Sequence, residues 1–114
     1  MQITVKEREP LSGVVTINSV PIDISDVPMV TMTLLVHAIG GTTPDLQVTL
    51  QTSDNLEDWT TVGTPFNRST AGQSLAAFVA SADPWGRYLR AEIALSGTTP
   101  TAAYSLWMNT FPSA

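Results

Sequence analysis

The chain has 114 residues, ten of them acidic and five basic, so its formal net charge is −5 and only 13% of its residues are charged. An acidic balance repels nucleic acid and anionic membranes, and the length suits a single domain spanning residues 1–114. Cysteine is absent, which excludes disulfides and thiolate metal sites and leaves packing and backbone pairing to stabilise the fold.

The N-terminal residues 1–12 contain the first predicted strand, near residues 2–9, and lack the charged start and apolar stretch of a secretory signal. Nowhere do about 18 apolar residues run together, so the sequence predicts a soluble protein made in the cytoplasm. Residues 1–12 are either an edge strand or an arm that pairs with a neighbouring chain by strand addition. In the second case, Lys6 and Arg8 are candidate partner contacts.

Two further strands are predicted near residues 13–19 and 29–39. The second is apolar on both phases, because Leu34 and Val36 alternate with Leu35. A strand of this kind is typically covered on both sides. We therefore expect residues 29–39 to lie in the middle of a sheet or against a partner.

The next predicted strand, residues 45–53, alternates cleanly and sends Leu46, Val48 and Leu50 to one face. An acidic segment, residues 53–59, follows it. Three carboxylates in this segment could offer oxygen ligands to Ca²⁺, but their spacing does not match an EF-hand loop, which also needs a glycine at its sharp turn. We predict instead an Asp/Asn turn whose Leu56 and Trp59 pack back onto the sheet, with a new strand near 58–63.

The last three strands are predicted near residues 74–80, 87–96 and 102–110. The first is rich in alanine and could form a short helix, although a strand is favoured. The second has a period of two that places Leu89 and Ile93 on one face. Together the segments predict an all-β fold, an antiparallel, jelly-roll-like β-sandwich of about eight strands.

Identical Gly-Thr-Thr-Pro tetrapeptides occupy residues 41–44 and 97–100, separated by 97 − 41 = 56 positions. Each joins two apolar-periodic runs, and glycine followed by a strand-starting proline predicts a hairpin connection. The repeat indicates either two related halves of about four strands each or a coincidence of turn chemistry.

The single histidine, His37, lies inside an apolar run. A catalytic histidine needs a carboxylate partner and a nucleophile, and Zn²⁺ needs several Cys or His ligands. Neither pattern surrounds His37, which we interpret as a packed or half-buried side chain. The sequence therefore predicts no catalytic residue, no metal ligand and no cofactor, and we expect the protein not to be an enzyme.

Aromatic residues are the remaining candidates for a binding site. Trp59, Trp85 and Tyr88 could stack on sugar rings, which keeps a carbohydrate-binding module open. Each also has a structural interpretation, and Trp107 lies on the phase opposite its apolar neighbours, so the last strand is expected to be covered on both faces. Core or subunit contact is favoured, and Trp85, Tyr88 and Trp107 join the two basic residues of the N-terminal segment as candidate partner contacts.

Residues 50–62 read Leu-Gln-Thr-Ser-Asp-Asn-Leu-Glu-Asp-Trp-Thr-Thr-Val. This stretch resembles a pattern in small phage virion proteins, where a strand ending in a Gln-x-Ser-type step leads through an acidic turn to a strand that begins with Trp. Residues 86–93, followed by 96–100 and a final aromatic strand, are similar to the second half of the same family. Similar hairpins occur in sugar-binding and adhesion sandwiches.

The resemblance implies a capsid decoration (cement) or minor head protein of a tailed bacteriophage. Such proteins often sit as trimers over junctions between major capsid subunits. The implied partners are therefore the major capsid protein and further copies of this chain, as a homotrimer on the capsid surface of a virion assembled in the host cytoplasm. Only 13% of the residues are charged, against about 25% in ordinary domains. Either Ser and Thr keep the protein soluble, or a large part of its surface is covered by a partner or subunit. The alternatives are a carbohydrate-binding module and a tail or adhesion component.

Overall fold

The computed structural model describes residues 2–24, 27–82 and 84–111. In these residues the chain forms only strands, turns and irregular segments, and every strand pairing is antiparallel, which confirms the predicted all-β class. Among them, no helical segment meets the length and apolarity that a membrane crossing demands. The strands are β1 (Gln2–Ser12), β2 (Val15–Asn18), β3 (Ile22–Asp23), β4 (Met29–Ser53), β5 (Thr60–Arg68), β6 (Gly72–Val79) and β7 (Tyr88–Phe111).

The two long strands β4 and β7 pair with each other from Met29 opposite Phe111 to Ser53 opposite Tyr88. A straight strand of 25 residues, the length of β4, would extend for about 80 Å. The longest dimension of the molecule is only 43 Å. The ribbon formed by β4 and β7 therefore folds back on itself, and its two halves lie face to face.

This folded ribbon provides the central strands of two sheets. Sheet 1 has the order β1, β7 (residues 101–111), β4 (residues 29–40) and β6. Sheet 2 has β2 and β3 together at one edge, then β7 (residues 88–96), β4 (residues 45–53) and β5. With each half of the long strands counted separately, the layers have the antiparallel arrangement of a jelly roll. The predicted sandwich is confirmed.

The repeated Gly-Thr-Thr-Pro tetrapeptides form the bends of β4 and β7, so the predicted hairpin connections were wrong. Thr42 of one bend lies opposite Thr98 of the other. Gly41 and Gly97 have φ values of 107° and 123°, which favour glycine. The glycine and proline that favour a hairpin can also bend a strand so that it passes from one sheet into the other. The neighbouring strand must then bend at the same place.

An approximate twofold relation between the two bends extends to the rest of the chain. A shift of about 56 residues brings β1 onto β5, β2 with β3 onto β6, and β4 onto β7. In each half, the first strand pairs with the end of the other half's long strand. The intervening strands pair with the start of that long strand. Of the two interpretations left open by the repeat, the structure supports two related halves, interleaved so that each completes the other's sheets.

A single apolar core lies between the sheets and is formed by alternate residues of the central strands. Leu46, Val48 and Leu50 are buried as predicted, and so are Leu89 and Ile93. The strand over residues 29–39 lies mid-sheet, and the alanine-rich segment is the strand β6, both as expected. The largest fully buried side chains are Tyr104, Met32, Leu34, Leu46, Leu50, Leu89, Ile93, Leu95, Leu106, Met108, Val30 and Val36.

Candidate interaction surface

The outer side of sheet 1 has no Asp, Glu, Lys or Arg in three adjacent strand segments: β6, residues 29–40 of β4 and residues 101–111 of β7. Because side chains alternate along a strand, every second residue of these segments points away from the core. We call this set the uncharged face. It consists of Gln73, Leu75, Ala77 and Val79 on β6, Met29, Thr31, Thr33, Leu35 and His37 on β4, and Ser105, Trp107, Asn109 and Phe111 on β7.

Large apolar side chains of the uncharged face are open to solvent. Leu75 is 67% exposed, Phe111 45% and Val79 39%. Leu75 lies beside Thr33, which in turn lies beside Trp107, so a row without charge crosses three strands and has a large apolar side chain at each end. Exposed apolar surface of this continuity is typical of a surface that contacts another protein.

The outer side of sheet 2 has the opposite character. The guanidinium of Arg90 lies 4.1 Å from the centre of the Trp59 ring, and its Nε donates a 2.7 Å hydrogen bond to Gln51. The amide of Gln51 donates in turn to a carboxylate oxygen of Glu92 at 3.3 Å. These polar side chains are satisfied by one another and suit contact with water.

His37 belongs to a hydrogen-bonded link across three strands of sheet 1. Its Nε2 lies 2.8 Å from Oγ of Ser105, and that hydroxyl accepts a 3.0 Å hydrogen bond from the backbone N–H of Arg8. Ser105 is only 2% exposed. The arrangement joins β4, β7 and β1 and satisfies the N–H at a bulge where Arg8 has a φ of 46°. It accounts for His37 as a structural side chain.

The five predicted partner contacts do not form one site. Lys6 and Arg8 lie in β1 at the edge of sheet 1, and Trp107 lies within the uncharged face. Tyr88 is at the other end of β7, in sheet 2. Trp85 precedes that strand, packs against the core and donates a 3.2 Å hydrogen bond from Nε1 to the carbonyl of Val27. As partner contacts, all five remain predictions.

The rings proposed for sugar stacking have protein neighbours. One face of Trp59 is covered by Arg90, and the guanidinium of Arg87 lies 5.2 Å from the centre of the Tyr88 ring. Trp85 is partly buried against the core. These contacts give each ring a structural role, and a carbohydrate platform finds no support in their arrangement.

The acidic segment is a turn, as predicted. Oδ1 of Asn55 accepts hydrogen bonds from the N–H groups of Glu57 and Asp58, both at 2.9 Å, which is the usual way in which Asn shapes a loop. Leu56 was predicted to pack on the sheet, but it is 47% exposed with a φ of 64°, because the turn points its side chain outward. In the described part of the chain, no three His, Asp or Glu residues are grouped to hold a metal ion.

Comparison with known proteins gives matches in structure but not in sequence. No protein-family model and no curated protein matches the chain. Over 98% of its length the chain superposes on VP2 of the infectious bursal disease virus subviral particle, with a TM-score of 0.64 and 15% identity, covering 32% of that protein. The chain shares its fold with a viral capsid protein.

Two other solved structures show the same fold. The exported protein XepA of phage PBSX matches all of this chain with a TM-score of 0.75 and 14% identity, over 38% of its own length. The Gx strain of infectious bursal disease virus gives a TM-score of 0.60 and 16% identity, with 100% of this chain and 32% of that protein covered. The chain thus spans about a third of each protein. The resemblance to virion β-sandwiches is confirmed at the level of the fold.

The sequence analysis named Trp107 as a candidate partner contact but did not predict the surface around it. The first residues of the three uncharged segments lie up to 72 positions apart in sequence (101 − 29), and only the strand order makes the segments neighbours. A partial signal was present, because the predicted strands 29–39, 74–80 and 102–110 contain no charged residue, whereas the predicted strands 45–53 and 87–96 each contain charged residues.

Proposed function

We propose that this chain is a non-enzymatic structural protein of a phage virion, a decoration protein that stabilises the capsid by binding major capsid protein subunits. The uncharged face carries the proposal. Leu75 and Phe111 are exposed there on a protein of net charge −5, and covering such apolar surface is favourable at about 25 cal/mol per Å². The fold shared with VP2 of infectious bursal disease virus supports a place in a viral shell.

The two outer surfaces suggest how the chain would be oriented. The uncharged face would lie against capsid subunits, while the satisfied polar network of Arg90 and Glu92 would face solvent on the capsid surface. Each contact can be weak, because many symmetry-related copies on one shell add their affinities. The homotrimer implied by the resemblance stays a prediction.

A pair of matched substitutions tests the orientation. Thr33 and Thr49 are half-buried threonines on β4, but Thr33 lies in the uncharged face and Thr49 on the outer side of sheet 2. We expect Thr33→Lys to reduce binding to capsids at least tenfold, because an ammonium group would be desolvated in the contact. Thr49→Lys should bind like the unmodified chain.

Binding is measured by co-sedimentation with capsids assembled from the major capsid protein of the same virus and lacking this chain. Saturable binding that is lost in Thr33→Lys and kept in Thr49→Lys supports the proposal. No binding by the unmodified chain contradicts the capsid role. Equal binding by both variants contradicts the uncharged face as the contact surface.

A second candidate, a tail or adhesion component of the same virion, is favoured by the likeness to XepA, which is named as an exported protein. Electron microscopy of virions labelled with gold-conjugated antibody to this chain separates the two roles. Label over heads supports decoration, whereas label confined to tails supports the second candidate.

A further inference from the structure

Three of the four sheet edges in the described part of the chain are protected against pairing with another chain. β1 carries charged residues and two register shifts, and β5 contains Pro65 and faces a register shift in β4. At the other edge of sheet 2, β2 and β3 have only 4 and 2 residues and are separated by Pro21. Charges, bulges, prolines and short strands are the usual means of blocking edge-to-edge association.

The fourth edge, β6, has none of these features. Its 8 residues, Gly-Gln-Ser-Leu-Ala-Ala-Phe-Val, include no charge and no proline. It pairs with β4 in one continuous register, from Met29 opposite Val79 to Val36 opposite Gly72. Its other side pairs with no described strand. An uninterrupted, uncharged edge of this kind accepts a further strand by β-augmentation.

Hydrogen bonds at both ends of β6 define the part of the edge that is open. The carbonyl of Gln73 accepts a 2.8 Å hydrogen bond from Nη1 of Arg68, and the carbonyl of Val79 accepts one of 3.0 Å from the N–H of Ala82. Backbone groups of an antiparallel strand alternate in direction, so Leu75 and Ala77 present their N–H and C=O groups on the same side as these two carbonyls. The four backbone groups of Leu75 and Ala77 are therefore open to a partner strand.

We propose that this open edge pairs with the β6 edge of a second copy of the chain, antiparallel and about a twofold axis at Ala76. In that register Leu75 lies opposite Ala77 of the second copy, and the four open groups of each strand meet the four of the other. A twofold contact places each surface against itself, so any charge on β6 would meet its like. The absence of charge on β6 makes the edge self-complementary.

The pairing would extend sheet 1 across both copies and make the two uncharged faces continuous. Leu75, which is 67% exposed in one copy, would gain apolar cover from its counterpart strand. This pairing does not require a virion role, because two copies of the purified chain are sufficient for it. The pairing predicts a dimer, in contrast to the homotrimer implied by the resemblance.

Sedimentation equilibrium from 10 µM to 1 mM, a range chosen for a small interface, tests the pairing. The unmodified chain should rise from 12.2 kDa towards twice that mass. Leu75→Lys should stay at 12.2 kDa, because a lysine on an edge strand disfavours pairing with another chain. Ala77→Pro should also stay monomeric, since it removes an N–H that points away from β4 and leaves the β4 ladder intact. Val20→Lys, at an exposed apolar residue between β2 and β3 in sheet 2, should dimerise normally.

The register has its own test, because the chain contains no cysteine. Under mild oxidation, a mixture of Leu75→Cys and Ala77→Cys chains should form a disulfide-linked heterodimer, since directly paired residues lie about 5.5 Å apart between Cα atoms. Each variant alone should form far less, because residue 75 does not face residue 75. A thermal melt shows whether each variant is folded.

The outcomes separate cleanly. Association lost in Leu75→Lys and kept in Val20→Lys, with cross-linking specific to the mixture, supports the proposal. A chain that stays monomeric at 1 mM overturns it, as does a dimer or trimer that survives both Leu75→Lys and Ala77→Pro. The capsid-binding comparison of Thr33→Lys with Thr49→Lys does not depend on any of these results, so failure of the β6 pairing is distinguishable from failure of the virion role.

Discussion

Replacing Gly41 by alanine tests the paired bends on which the two layers depend. An added Cβ would lie 2.8 Å from the carbonyl oxygen of Thr99 and 2.9 Å from that of Thr98, and these backbone atoms cannot swing aside. The φ of 107° is unfavourable for any side chain. The strained φ costs about 1–2 kcal/mol and the forced contacts about 1–3 kcal/mol more. We therefore expect Gly41→Ala to lower the free energy of unfolding by about 3 kcal/mol.

Urea titration followed by circular dichroism measures this loss, with two controls. Gly13 also has a positive φ, 80°, but nothing lies within 4 Å of its added Cβ, so Gly13→Ala should cost only about 1 kcal/mol. Gly97→Ala should match Gly41→Ala, because its Cβ would lie 2.9 Å from the carbonyl oxygen of Thr43. Equal losses for Gly41→Ala and Gly13→Ala would refute the close approach of the bends. A mild Gly97→Ala would refute their equivalence.

Three further predictions concern stability. The hydroxyl of Tyr104 is buried without a hydrogen-bond partner among the described residues, so Tyr104→Phe should raise the free energy of unfolding by about 1 kcal/mol in urea titrations. Burial, with a smaller contribution from the charge of Glu9, raises the pKa of Tyr104 well above its ordinary value. The folded state thus keeps a proton that the unfolded state loses, and stability should fall above about pH 10 by up to about 1.4 kcal/mol per pH unit, a slope that Tyr104→Phe removes. Finally, Asn55→Ala should lower the melting temperature by about 4–8 °C because it removes the acceptor of two backbone N–H groups. Asn67→Ala, which loses one exposed hydrogen bond to Asp45, should have little effect.

Much of the fold could be predicted because burial follows local periodicity. Residues 45–53 and 87–96 have one apolar and one polar phase, and a strand can satisfy such a pattern in only one orientation. The acidic turn was equally local, since Asn55 shapes it through bonds to residues two and three positions away. Where neighbours in sequence decide the structure, the sequence was sufficient.

The remaining features depend on which distant segments become neighbours. No local feature distinguishes a Gly-Thr-Thr-Pro tetrapeptide that closes a hairpin from one that bends a long strand. The two bends depend on each other, since Thr42 lies opposite Thr98 only once both long strands have paired. The uncharged face has the same origin, because Leu75 and Trp107 share a row only through Thr33 between them. The prediction for Leu56 was wrong for a local reason, because the backbone conformation of the tight turn directs this apolar side chain outward.

The twofold relation within the chain supplies an internal comparison for the proposed surfaces. β6 of sheet 1 occupies the position that β2 and β3 occupy in sheet 2, yet Pro21 interrupts one edge and nothing interrupts the other. Likewise, the outer side of sheet 2 carries Arg90 and Glu92, whereas the equivalent strands of sheet 1 carry no charge. The fold therefore tolerates charges and a broken edge at these positions. An open β6 and an uncharged face are properties of this sequence, not requirements of the architecture, and contact with other polypeptides gives both a physical reason.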